Sequence, residues 1–287
     1  MHIGAKVAGM AAMLLACACA PGAVGGSGGG GGGGGSGGGA EPLRIVSLNP
    51  CADAILAEIA PDRLVAVSHY SQDPASTSMD LTLARRFAGI SGSAEEVAAL
   101  APDVVIAGTF LPPATEQALV RMGFRVVKTG SIASVDDARA QVRDLAALTG
   151  RKAAGEAMVA QIDRALAAAA PPVGAAPIPA MIWQGGGIVP GETTLVSDLL
   201  AHTGFANFSA GRGLGQGSVV PLEDVLANPP RVLMVAGGGR MMEHPALASL
   251  APATMRVPLD PALTFCGGPT IPRAAARMAA IRQQVLR

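Results

Sequence analysis

The chain has 287 residues, of which 50% are hydrophobic and 15% charged, and its formal net charge is +0. That composition supplies a sizeable apolar core and suffices for two lobes of ordinary domain size. Lys and Arg are scattered, so no basic stripe serves a phosphate backbone and nucleic acid is excluded as a partner. Aromatic residues make up 3%, with one Trp and one Tyr, which leaves few rings to grip a large flat ligand.

Residues 1–16 have the layout of a secretory signal: Lys6, then an apolar stretch from Val7 to Ala16 that is too short to span a bilayer. The mature protein is therefore expected in the periplasm. Leu14-Leu15-Ala16-Cys17 resembles the bacterial lipobox, which implies that Cys17 becomes the lipid-modified N-terminus and ties the chain to a membrane. The alternatives are a soluble cut after Ala18-Cys19-Ala20, which Pro21 hinders, or cysteines that are merely small residues of a discarded signal. Between Gly25 and Gly39 only Ser27 and Ser36 interrupt glycine, so residues 17–42 are expected to form an anchor and a flexible leash.

The body opens with the β-rich run Arg44-Ile45-Val46-Ser47-Leu48, closed by Asn49-Pro50, and helical periodicity follows over 52–60. Strands are predicted at 64–67, 104–107 and 125–128, with a helix at 114–122 before the last. Ser134 is placed to cap a helix bearing Val135, Ala138, Val142, Leu145 and Leu148, and after Gly150 an alanine-rich helix runs to residue 170. Prolines from 171 to 179 break the pattern. Strands then fall at 180–183, 231–235 and 255–257, and helices at 193–202, 221–227 and 270–286. Short strands alternating with helices predict an α/β protein with mainly parallel sheets covered on both faces. The expected organisation is an N-terminal lobe at 43–150, a connecting helix at 151–172 and a similar C-terminal lobe at 173–287.

The lobes echo one another. Glu95-Glu96-Val97 leads through Pro102-Asp103 into Val104-Val105-Ile106-Ala107-Gly108, just as Glu223-Asp224-Val225 leads through Pro229-Pro230 into Val232-Leu233-Met234-Val235-Ala236-Gly237. Two such lobes present the carboxyl ends of their strands to a common cleft, where ligands sit in folds of this kind. Asn49, Pro50 and Cys51 follow the first strand, His69 and Tyr70 the second, and Phe110 the third. Tyr70 offers a ring face and a phenol, against the alternative of an ordinary buried tyrosine. His69 suits a metal centre or a hydrogen bond, against a structural histidine, and no companion ligand supports a bare metal site. Phe110 is an apolar wall or a core residue. On the second lobe Trp183, Arg240 and Phe265 hold comparable strand-end places, with Arg240 either meeting an anionic group or lying idle on the surface.

With these residues in order, the chain resembles the helical-backbone substrate-binding proteins of ABC importers for cobalamin, iron-siderophores and haem. The markers are Arg44-Ile45-Val46-Ser47-Leu48-Asn49-Pro50, Val65-Ala66-Val67-Ser68-His69-Tyr70-Ser71, Leu100-Ala101-Pro102-Asp103-Val104-Val105-Ile106-Ala107-Gly108 and the second-lobe echo. Ser68-His69-Tyr70-Ser71 looks most like the cobalamin branch. The resemblance implies two lobes joined by a long backbone helix, a ligand cleft between them and no enzymatic activity. It also implies a small-molecule metal chelate as ligand, membrane permease subunits as partners, a monomer, and no cofactor beyond the ligand's own cobalt or iron. Glu95 and Glu223 match the positions that dock on the permease, where paired carboxylates meet basic pockets. The plainer alternative is that both complement a helix dipole.

Cys51 and Cys266 are expected at strand ends of opposite lobes. A disulfide stapling the cleft and a pair of thiols lining it, binding or sensing a chelated metal, both remain open. A metal-cofactor chaperone or sensor is the nearest rival function and needs those thiols. An exported hydrolase is disfavoured, because no Gly-x-Ser-x-Gly elbow occurs in the body that follows the glycine-rich leash.

Overall fold

The computed structural model describes residues 42–287; the expected export segment, Cys17 and the glycine-rich leash lie outside the described residues. The first lobe runs β1 (Ile45–Ser47), α1 (Pro50–Ile59), β2 (Leu64–Ser68), a 3-10 turn at His69–Gln72, α2 (Leu81–Ala84) and β3 (Ala88–Ile90). It continues with α3 (Ala94–Ala99), β4 (Val104–Ala107), α4 (Pro113–Arg121), β5 (Arg125–Lys128) and α5 (Val135–Leu148). Its five strands form a wholly parallel sheet, β3-β2-β1-β4-β5.

Helix α6 (Lys152–Ala169) leads into the second lobe, which begins β6 (Ile178–Gln184), β7 (Ile188–Val189), α7 (Leu195–His202), β8 (Phe205–Asn207) and α8 (Phe208–Gly211). There follow β9 (Ser218–Val219), α9 (Leu222–Ala227), β10 (Val232–Ala236), β11 (Met255–Pro258) and α10 (Thr270–Val285). The second sheet runs β11-β10-β6-β7-β9, with β8 added alongside β6. Its pairs are parallel except those made by β7. β6 pairs with β10 and β8 as β1 pairs with β4 and β2, so the lobes repeat one core topology.

Local chemistry sets the element ends. Asn49 accepts the N–H of Cys51, with Pro50 as the first helical residue of α1. Ser93 with Glu96, and Ser134 with Asp137, form capping boxes on α3 and α5. Along the strands, side chains alternate between faces. Ile45 joins the large central core while Val46 joins an outer one; Ile182 likewise faces the centre and Met181 the far side.

The central core is continuous. Apolar side chains of α1, α5, α6, α7 and α10 merge with the inner faces of both sheets in one cluster, from Ile45 and Ile106 through Ile162 to Ile182 and Met234. Gly155 brings α6 close to α5, since a Cβ there would collide with that of Ala146. Each lobe is thus bonded to the same helical layer, which restrains hinge motion between them. The strand at Ala88–Ile90 and the short strands β7 to β9 were not legible in the sequence, because, unlike β1, they are short and not embedded in a longer β-rich run.

Candidate functional site

Parallel strands end together at one edge of a sheet, and contacts show how the two edges stand. Cys51, in the first turn of α1, is disulfide-bonded to Cys266, which lies between β11 and α10; their Cα atoms are 5.1 Å apart. The same stretch of the second lobe touches the first again where Ser78 Oγ donates to the carbonyl of Ala262 at 2.6 Å. Gly268 sits so near α1 that a Cβ would strike Ile55. Asp198 of α7 accepts the first N–H of α5, from Val135, at 2.7 Å. These contacts bring together loops beyond the carboxyl ends of strands in the two sheets, with α1 and the Ser78 loop meeting the segment from Pro261 to Gly268. The disulfide removes the free thiols from the list of ligand groups, and the chaperone or sensor reading loses the pair it required.

Several large apolar side chains on loops beyond strand ends are left uncovered by folding. Tyr70 is 51% exposed, Phe265 42% and Phe110 93%, so Phe110 is no core residue. Ile188 and Val219, on the paired strands β7 and β9, are exposed as well and were not singled out from the sequence. The His69 and Tyr70 rings stack with centroids 4.0 Å apart and a 35° tilt. His69 Nδ1 lies 3.2 Å from the carbonyl of Ile90, a contact that requires the proton on Nδ1. In the neutral ring Nε2 is then left as a lone-pair donor, with no partner among the described residues. Arg240 follows β10 behind Gly237 to Gly239, is exposed, and enters no ion pair among the described residues.

One expected contact is corrected. Trp183 is 0% exposed and belongs to the outer core of the second lobe, where its indole N–H donates to the carbonyl of Val220 at 2.9 Å. It lies within β6, so strand alternation turns it to a sheet face rather than beyond the strand's end. Asn49 is half-buried and has structural partners: besides capping α1, its amide donates to Thr129 Oγ1 at 2.7 Å, which ties the ends of β1 and β5 together. Pro50 serves as the first residue of α1. Asp53 was missed; its sequence signal is a lone carboxylate within an otherwise apolar turn of helix.

A cavity of about 550 Å³ lies elsewhere, between β5 and α5, lined by Lys128, Thr129, Ile132, Gln141 and Leu145. None of Tyr70, Phe110 or Phe265 lines it. Among the described residues no cluster of His, Cys, Asp or Glu is built to hold a bare metal ion.

Glu95 and Glu223 are exposed, one on each lobe. In both helices the following residue does the structural work. Glu96 accepts from Ser91 Oγ and the N–H groups of Gly92 and Ser93, and the Ser91 hydroxyl chiefly holds its carboxyl below the usual range. Asp224 accepts from Arg212 at 2.9 Å and Asn228 at 3.0 Å, which lowers its own carboxyl. Glu95 and Glu223 themselves have no partner among the described residues.

Residues 45–255 match the sequence profile of a family described as periplasmic binding protein. No curated protein matches in sequence. Among solved structures, the chain is similar to the periplasmic heme-binding protein RhuT from Roseiflexus sp. RS-1, at 23% identity and a TM-score of 0.66 over 85% of this chain and 97% of that one. It is similar to the periplasmic vitamin B12 binding protein BtuF of Vibrio cholerae, at 19% identity and a TM-score of 0.67 over 85% and 98%. Helicobacter pylori CeuE, solved with Ni(II) bound, matches at 18% identity and a TM-score of 0.64 over 84% and 83%. At such identities the likeness is one of fold, a two-lobed α/β architecture. The chain belongs to the periplasmic binding protein family, whose members are binding proteins of transporters and not enzymes.

Proposed function

We propose that the chain is a periplasmic receptor, lipid-anchored at Cys17, that captures a metal chelate between its lobes and delivers it to the permease subunits of an ABC importer. The ligand is a corrinoid such as cobalamin, or an iron-siderophore; its metal belongs to the ligand, and the protein works as a monomer without a cofactor of its own. The observation that carries this reading is the exposed set Tyr70, Phe110 and Phe265 on loops that follow strands of the two lobes, with His69 stacked on Tyr70. Rings interspersed with a few polar groups suit a ligand with apolar faces and a polar rim. Proteins of this fold that bind haem, vitamin B12 or nickel agree with that ligand type. The scarcity of rings favours a corrinoid, whose amide-rich edge is held by backbone and small polar groups, over a bare porphyrin.

Capture requires no covalent step. The ligand enters the gap, water is expelled, and the shared helical core with its cross-lobe disulfide limits closure. Delivery follows when Glu95 and Glu223 meet two basic pockets of the permease, a symmetric pair that fixes orientation.

Calorimetric titration with cyanocobalamin, haemin and a panel of ferric siderophores tests the reading. A corrinoid or siderophore is expected to bind one site with Kd of about 1 μM or tighter. Binding of haemin alone would exclude the proposed ligand class, and binding of none would sink the chelate reading. Trp183 fluorescence is a poor reporter, because the indole is sealed in the far core.

A further inference from the structure

Asp53 is 0% exposed in α1, among Ala52, Ala54 and Ile55, where an apolar side chain would serve packing as well and spare the cost of burying a carboxyl. Its Oδ2 accepts the backbone N–H of Ser68 at 2.8 Å and the hydroxyl of Ser71 at 2.7 Å. Those two serines bracket His69 and Tyr70. Its Oδ1 is buried with no partner.

We infer that Asp53 is the positioning residue of the ligand-facing turn: one carboxyl oxygen gathers both ends of the Ser68–Ser71 segment and so fixes where His69 and Tyr70 stand. The inference rests on the capture function proposed above. The outer side of the turn is held separately, by Gln72 donating to the carbonyls of Ala84 and Phe87 and by His69 against Ile90. No other α1 side chain among the described residues hydrogen-bonds to the turn. Asp53 stands two residues after Cys51, whose disulfide partner adjoins Phe265. Tyr70 and Phe265, on opposite lobes, are thereby both registered on the start of α1. Burial pushes the Asp53 carboxyl up to about 7 despite the hydrogen bonds from Ser71 and Ser68, which is the mark of a group held at a cost.

Tyr70 is the sole tyrosine, so the full chain labelled with ¹³C-tyrosine gives one ring signal that reports this turn without any ligand. In Asp53→Ala that signal is expected to shift and broaden. Affinity for whichever of cyanocobalamin, haemin or a ferric hydroxamate binds the unaltered chain is expected to fall about tenfold. In a Tyr70→Ala background the same substitution is expected to cost less than about twofold, because its effect runs through the turn. Asp53→Asn, which keeps an acceptor oxygen, is expected to fall between. An unmoved Tyr70 signal in folded Asp53→Ala, or an undiminished loss in the Tyr70→Ala background, overturns the inference. Should Asp53→Ala fail to fold, Ser71→Ala removes one of the two bonds and carries the same expectations. If the unaltered chain binds none of the probes, the capture reading fails while the Tyr70 signal still decides the role of Asp53.

Discussion

Glu95 and Glu223 occupy the same place in two six-residue helices: each is the second residue, each stands exposed, and each precedes an acidic residue that is already engaged. Because Glu96 completes a capping box and Asp224 pairs with Arg212, local structure does not require the carboxylates before them. The double substitution Glu95→Ala and Glu223→Ala is expected to leave stability within about 0.5 kcal/mol of the unaltered chain. Ligand affinity should also hold, while cellular uptake falls more than about tenfold. Uptake at the unaltered rate would remove the docking role.

Tyr70 and Trp183 separate contact from scaffold. Tyr70→Ala is expected to weaken ligand binding about tenfold with little change in stability, since an exposed ring is truncated. Trp183→Phe is expected to do the reverse: it removes the hydrogen bond to Val220 and leaves a void in the outer core, costing about 1–3 kcal/mol with affinity preserved. Calorimetry and denaturant unfolding on both variants check the pair, and a Trp183→Phe variant of normal stability but lost affinity would return Trp183 to the gap.

Trp183 also shows where a sequence reading stops. Parallel sheet and helix caps are written in short-range patterns, so β1, β2, β4, β5, β6 and β10 and the cap of α5 were legible. The proposed ligand site, however, lies on loops just past strand ends, and residues 180–183 are apolar throughout, so nothing local says which face Trp183 takes. The Cys51–Cys266 bond spans 215 residues, and topology placed both at strand ends without choosing between thiols and a bond. Asp53 escaped notice because its meaning lies in a turn fifteen residues away.

The disulfide closes nearly the whole body into one loop. In the chain-entropy picture a loop of 215 residues is stabilised by about 5 kcal/mol, so Cys51→Ser with Cys266→Ser is expected to lower stability by an amount of that order. The same loss should follow a dithiol reductant added to the unaltered chain and be absent when reductant is added to the variant. Before reduction, neither Cys51 nor Cys266 should react with a thiol reagent; a reaction at both would restore the open-thiol reading.

Asp53 gives stability a pH dependence of defined sign. Burial raises its carboxyl from 3.8 to about 7 on folding, so between those values the folded state binds the extra proton. Its contribution is therefore fully present below the unfolded value and is lost as pH rises through about 7, by an amount on the order of 4 kcal/mol. Asp53→Asn should flatten the fall in unfolding free energy across that window. An unchanged slope in the variant would show that other groups set it.

Arg282 of α10 is buried without a carboxylate partner, and its charge is met by backbone instead. Its guanidinium donates to the carbonyls of Ala169 and Ala170 at the end of α6, at 3.1 and 3.0 Å, and to Thr203 at the end of α7, at 2.8 Å. A cation is thus placed where two helices present their negative ends, which joins the connecting helix to the second lobe. Arg282→Met removes the charge and leaves three inward carbonyls unmet, so a loss of about 3 kcal/mol is expected in denaturant unfolding. Arg282→Lys restores the charge but not the planar fork that serves separated acceptors, and should recover only part of it. Full recovery with lysine would mean that charge alone, rather than the three-way bonding, holds the junction.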